Sequence, residues 1–231
     1  MTAGGRGETA GMRGAAGPRG QGEVAAAVRR MCDDVRRALA AALEAMERGD
    51  LEAARAVMAG DAAIDRQEED IEHLCLRLLG ARTHGGGEPE VRALAAAYKV
   101  VTDLERIGDH AAAIARSVLR MEGQPPLPVF IDIQRLGALA GELVDGAVAA
   151  LEAGDVGAAK TVAQADDGVD ALYDEVFRAL LTYMLDDRSA VRQATHLLFV
   201  ASALERIADH ATNVCEWTVF SATGRRVELN D

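Results

Sequence analysis

Apolar residues recur every three or four positions through most of this chain. Val24, Val28, Met31, Val35, Leu39, Leu43 and Met46 form one such series, the spacing of a helix that buries a single stripe. Gly49-Asp50 ends it, glycine closing one helix and aspartate able to cap the next. A second helix is expected over 51–80, a loop through HGGGEPE at 84–90, and a third helix from Glu90 to Met121. GQPPLP at 123–128 reads as a stiff linker, because each proline lacks an amide donor and restricts the residue before it. The order then repeats. Ile133, Leu136, Leu139, Leu143, Val144, Val148 and Leu151 mark a helix over 129–153, and Gly154-Asp155 stands 105 residues after Gly49-Asp50. Helices over 156–185 and about 187–221 complete the second set, and 222–231 is a short polar tail.

A phrase written twice confirms the repeat. Residues 104–115 read LERIGDHAAAIA and 204–215 read LERIADHATNVC, identical at seven of twelve positions. Such self-similarity means one supersecondary unit used twice. The fold class is therefore all-α: two tandem antiparallel three-helix bundles, six helices in all, covering 23–122 and 129–221. Residues 1–22 hold eight glycines and three arginines against one acid. That segment has too little apolar area to fold and is expected to be disordered.

The repeat also places carboxylates in register. Glu105 precedes Asp109 by four residues, as Glu205 precedes Asp209; like charges so spaced on a helix are mildly destabilising. On the second helix of each unit Asp61 and Asp65 align with Asp166 and Asp170. At 100° per residue, Asp61, Asp65, Glu68 and Glu72 fall about 40° to 100° round from Ile64, beside the apolar stripe. If the second and third helices are neighbours, six carboxylates face one another and repel unless protonated or neutralised by a metal. Oxygen-only ligation favours Mg, Mn, Ca or Fe over Zn. The second unit has Tyr173 and Phe177 where the first has Glu68 and Glu72. It is left with Asp166, Asp170, Glu205 and Asp209, aided by Asp174 and Asn213, and a weaker site is expected there. His110 and His210 point away from the acid pairs on an ideal helix, so they are expected to hydrogen-bond across an interface. Arg106 and Arg206 are placed to neutralise neighbouring acids.

Composition narrows the function classes. A net charge of −12 argues against a general nucleic-acid binder, which needs a basic face. Three widely spaced cysteines, Cys32, Cys75 and Cys215, suit buried positions in a reducing compartment. No apolar run approaches the roughly 18 residues that span a bilayer, and no secretory h-region is visible, so a cytoplasmic location is expected. The chain carries no Ser/His/Asp set, phosphate loop or dinucleotide fingerprint. A di-iron bundle needs Glu-x-x-His on two helices, and only Asp70-x-x-His73 comes close. No catalytic centre is expected.

Tandem three-helix units, each with an acidic D-x-x-x-D helix followed by L-E-R-I-[GA]-D-H, resemble the PhoU family over about residues 24–221. That resemblance implies a non-enzymatic cytoplasmic regulator of phosphate transport, restraining the phosphate-starvation two-component response when phosphate is plentiful. It implies partners too: the ATPase of the phosphate ABC transporter and a phosphate-sensing histidine kinase, with the membrane reached only through them. A homo-oligomer, such as a dimer, is implied, as are bound divalent or ferric ions. By position, the implied ligands are Asp61/Asp65 with Glu105/Asp109, and Asp166/Asp170 with Glu205/Asp209. Two departures stand out. Many family members carry Asn four residues after the motif aspartate; Asn213 keeps it and Ala113 does not, while Asp103 keeps an Asp-Leu-Glu start that Ala203 lacks. A related helical adaptor serving another transporter, or a carboxylate-bundle metalloenzyme, are the alternatives.

Overall fold

A computed structural model describes residues 19–81, 87–124 and 127–229. Its helices are α1 (Arg19–Arg48), α2 (Leu51–Gly80), α3 (Glu88–Arg120), α4 (Phe130–Ala153), α5 (Val156–Gln164), α6 (Asp166–Asp186) and α7 (Val191–Thr223). Among the described residues there is no strand, and no helix is long and apolar enough to cross a membrane. The two Gly-Asp breaks work alike. Gly49 and Gly154 take positive φ of 63° and 62°, which costs glycine nothing. The next amide reaches back, Asp50 N to Ala45 O and Asp155 N to Ala150 O, closing the helix in a Schellman arrangement. Each aspartate then caps the next helix, Asp50 accepting from Glu52 N and Ala53 N, and Asp155 from Gly157 N and Ala158 N.

α1, α2 and α3 pack on one another, and α4, α5, α6 and α7 form the second unit. The units meet most extensively along α3 and α7, which run antiparallel: Arg92 donates to Ser221 O, while Asp103 meets His210 and Asn213. One apolar core therefore runs through both units. Leu104, Ile107 and Ile114 of α3 and Leu197, Leu204 and Ile207 of α7 are at most 1% exposed, so any shift of one unit against the other would open the centre of the molecule.

Several boundaries differ from expectation. α1 begins at Arg19, inside the segment expected to be disordered, whose residues 1–18 lie outside the described ones. α3 begins at Glu88 because Pro89 fits its first turn, where a missing amide hydrogen costs nothing; residues 82–86 of the preceding loop are not described, nor are Pro125 and Pro126 of the linker. The helix expected over 156–185 is broken at Ala165. There, i→i−3 bonds (Ala165 N to Val162 O, Gly168 N to Ala165 O) replace the α-helical pattern. Asp166-Asp167-Gly168 supplies weak helix formers at that point. α7 starts at Val191, four residues late, since Asp187 turns the chain by accepting from the Ser189 amide and hydroxyl. The C-terminal tail is more than polar: Leu229 N donates to Glu216 at 2.8 Å, and Arg226 lies 5.4 Å from the centre of the half-buried Trp217 ring.

Candidate metal centre

Gly108 brings α2 onto α3. A Cβ there would lie 3.1 Å from Ile64 Cδ1, so its absence lets Ile64 rest on the α3 backbone. Asp61 and Asp65, flanking Ile64, then reach Asp109. One carboxylate oxygen from each of the three lies within 4.8 Å of the others, and all three side chains are half-buried. Glu105, one turn before Asp109, is only 13% exposed. Its Oε2 is buried without a hydrogen bond among the described residues, though Arg106 Nε stands 3.3 Å away. Arg106 Nη1 pairs with Asp109 Oδ2 at 3.0 Å, as its position in the motif suggested.

The remaining two ridge acids are not part of this triplet. Glu68 is hydrogen-bonded by Thr102, and Glu72 by Tyr98. Three of the six expected carboxylates therefore converge, Glu105 stands one helical turn from Asp109, and Glu68 and Glu72 are held further along α2 by α3 hydroxyls.

The charge in this cluster is poorly compensated. Burial first, then Asp109 and Asp65, raise the Asp61 pKa, with Arg116 opposing. Burial and Asp109 push Glu105 up to about 7, against Arg106. Glu68 rises by burial despite its bond from Thr102. Each shift has the sign of a carboxylate whose burial and like-charged neighbours outweigh the arginine beside it. Oxygen-only donors and a buried, unbonded Glu105 oxygen fit a hard cation, and the chain offers no sulfur or imidazole in the triplet.

In the second unit the equivalent residues part company. Asp166 is buried, with Thr212 Oγ1 at 3.4 Å; Asp170 is exposed, and Glu205 and Asp209 are half-buried. Among the described residues no second carboxylate triplet forms. The break at Ala165 accounts for this, since it starts a new helix at Asp166 where α2 runs straight through Asp61. Burial and then Asp209 raise both Asp170 and Glu205. Tyr173 joins Glu205, Asp209, His210 and Asn213 around an open cavity of about 510 Å³. Asp174, expected as an auxiliary ligand, is exposed and pairs loosely with Arg178 at 3.9 Å.

The histidines belong to the α3–α7 seam, as their angle on the helix implied. His210 Nδ1 lies 3.0 Å from Asp103 Oδ1, which also accepts from Asn213 Nδ2 at 3.1 Å. The His110 and His210 rings stack with centres 5.8 Å apart. Burial, then His210 and Arg206, push His110 down to about 4. Asp103 lies outside the expected ligand set, and the signal of its role is in the sequence: Asp103 and Asn213 are present where Ala203 and Ala113 replace them.

Fold and site define a class: an all-α tandem-repeat protein whose conspicuous chemistry is carboxylate clustering on helix faces. The model of the PhoU domain matches residues 28–118 and 133–218, once per unit. The chain belongs to the PhoU family. A phosphate-specific transport system accessory protein PhoU homolog of Clostridium acetobutylicum is 36% identical over 189 residues, covering 82% of this chain and 86% of that protein. One from Xylella fastidiosa is 37% identical over 189 residues, covering 82% and 78%. The crystal structure of PhoU from Pseudomonas aeruginosa matches with a TM-score of 0.85 at 29% identity, covering 89% of this chain and 98% of that one.

Proposed function

We propose that this protein is the accessory regulator of a phosphate-specific transport system, acting by binding rather than by turnover. It works in the cytoplasm as a homodimer and restrains the phosphate-starvation response when phosphate is plentiful. Its partners are the transporter's ATPase and a phosphate-sensing histidine kinase, through which it reaches the membrane. The observation that carries the reading is the family match in both units, supported by the accessory-protein names of relatives that span most of the chain.

The same reading assigns a Mg, Mn or ferric/ferrous ion to Asp61, Asp65, Asp109 and Glu105. Bound there, the ion would neutralise the repulsion between α2 and α3. Asp61 and Asp65 supply oxygens from one helix and Asp109 and Glu105 from the other, so occupancy would fix the angle between them. Arg106, already on Asp109, would hold that carboxylate in place. A protein of this kind shifts a partner's equilibrium only by binding its states with unequal affinity. Asp166, Asp170, Glu205 and Asp209 form the weaker second site in this reading.

The test is a phosphate-regulated reporter in a strain lacking the gene, grown with ample phosphate. Derepression that returns to baseline on complementation is expected. A reporter that stays repressed, in a strain with no second copy of the gene, would sink the assignment.

A further inference from the structure

The α3–α7 seam is built twice by near two-fold symmetry, and its two ends differ. At one end Asp103 places a carboxylate between His210 and Asn213. At the other, the equivalent positions are Ala203, His110 and Ala113. These three line an open cleft of about 440 Å³, whose remaining wall includes Arg116, Arg120 and Arg206. Among the described residues, no acid lines it. The carboxylate has no counterpart at this end, Ala113 stands where the other end has Asn213, and three arginines are among the lining residues. In a chain of net charge −12, the general field repels anions, so the cleft's positive lining runs against the whole molecule.

The cations are felt locally. Arg206 acts on His110, and Arg120 on the neighbouring His196. Arg116 also acts on Asp61, and Arg206 on Glu205. Ser117 gives its hydrogen to Ala113 O at 3.1 Å, while Ser202 stands half-buried on the opposite wall. Guanidinium forks match the paired oxygens of a phosphoryl group, and charge-assisted contacts of this kind are the strong ones.

We propose that this cleft binds a phosphoryl dianion, either inorganic phosphate or a small phosphomonoester, in the place that Asp103 fills at the other end of the seam. The proposal does not depend on the metal assignment, and its test is run on chelator-treated protein so that phosphate cannot enter through a bound ion.

Isothermal titration with inorganic phosphate, with glycerol 3-phosphate and with sulfate separates the sources. Saturable binding of one phosphoryl compound per chain is expected, with sulfate at least about tenfold weaker. Arg116→Gln with Arg120→Gln, both exposed, should weaken binding at least about tenfold. Ala203→Asp rebuilds the internal carboxylate and should abolish binding by occupying the site itself; its fold is checked by circular dichroism. Whichever of phosphate and glycerol 3-phosphate binds more tightly names the source. No saturable heat with either, equal binding of sulfate, or undiminished affinity in the double-arginine variant would each overturn the proposal.

Discussion

Replacing Glu105 with glutamine should make the metal-free protein more stable at pH 8 and less able to be stabilised by metal. Its carboxyl is 13% exposed, faces Asp109 and Asp65, and has a pKa pushed up from 4.5 to about 7, chiefly by burial. Arg106 already offsets part of that strain. A native pKa above the unfolded one means that the folded chain holds the extra proton between them. The resulting stability is present in full below about 4.5 and is lost as pH rises through about 7. At 1.36 kcal/mol per pKa unit, and discounted for partial solvation, holding Glu105 ionised costs about 1–3 kcal/mol. Glutamine carries no charge and escapes that cost. Urea unfolding of chelator-treated protein should therefore give near-equal midpoints at pH 4.5, and a higher midpoint for Glu105→Gln at pH 8. Adding Mn²⁺ should reverse the order, because wild type gains about 2.7 kcal/mol at a hundredfold excess over its dissociation constant. A variant that is no more stable than wild type at pH 8 without metal would refute the electrostatic reasoning.

Asp103→Ala should cost about 1–3 kcal/mol, since it leaves His210 and Asn213 without the oxygen they share; thermal unfolding that does not move would show that the seam draws nothing from it. Burial pushes the Cys32 and Cys215 thiols up to about 12, so they should resist alkylation at pH 8 and react on unfolding. Mass spectrometry before and after denaturant distinguishes the two.

The features legible in the residues are mostly local ones. The Gly-Asp pairs announce both helix ends and caps because φ and a side-chain oxygen suffice to make them. The stripe on α1 is legible because burial of Val24 through Met46 follows one helical period. The break at Ala165 is harder, since Asp166-Asp167-Gly168 weakens a helix without forbidding it, and the burial of Asp166 beside Thr212 is a tertiary contact that local sequence does not report. Convergence of Asp61, Asp65 and Asp109 is legible from register, but the capture of Glu68 and Glu72 by Thr102 and Tyr98 depends on how α3 is rotated. Contacts across the seam join residues more than a hundred positions apart, and no periodicity within a helix can report them.

The symmetry of that seam has a consequence for how such a chain can change over generations. Two separate copies of one three-helix unit, joined by the same face, would carry any substitution at both ends of the seam at once. Losing the aspartate would then remove it from both histidines, and keeping it would block both clefts. Fusing the copies into one chain lifts that constraint. One end can keep Asp103 and Asn213 as a fastener while the other, with Ala203 and Ala113, is released for different work. Duplication here did more than lengthen the protein: it made the two halves of a single contact free to diverge.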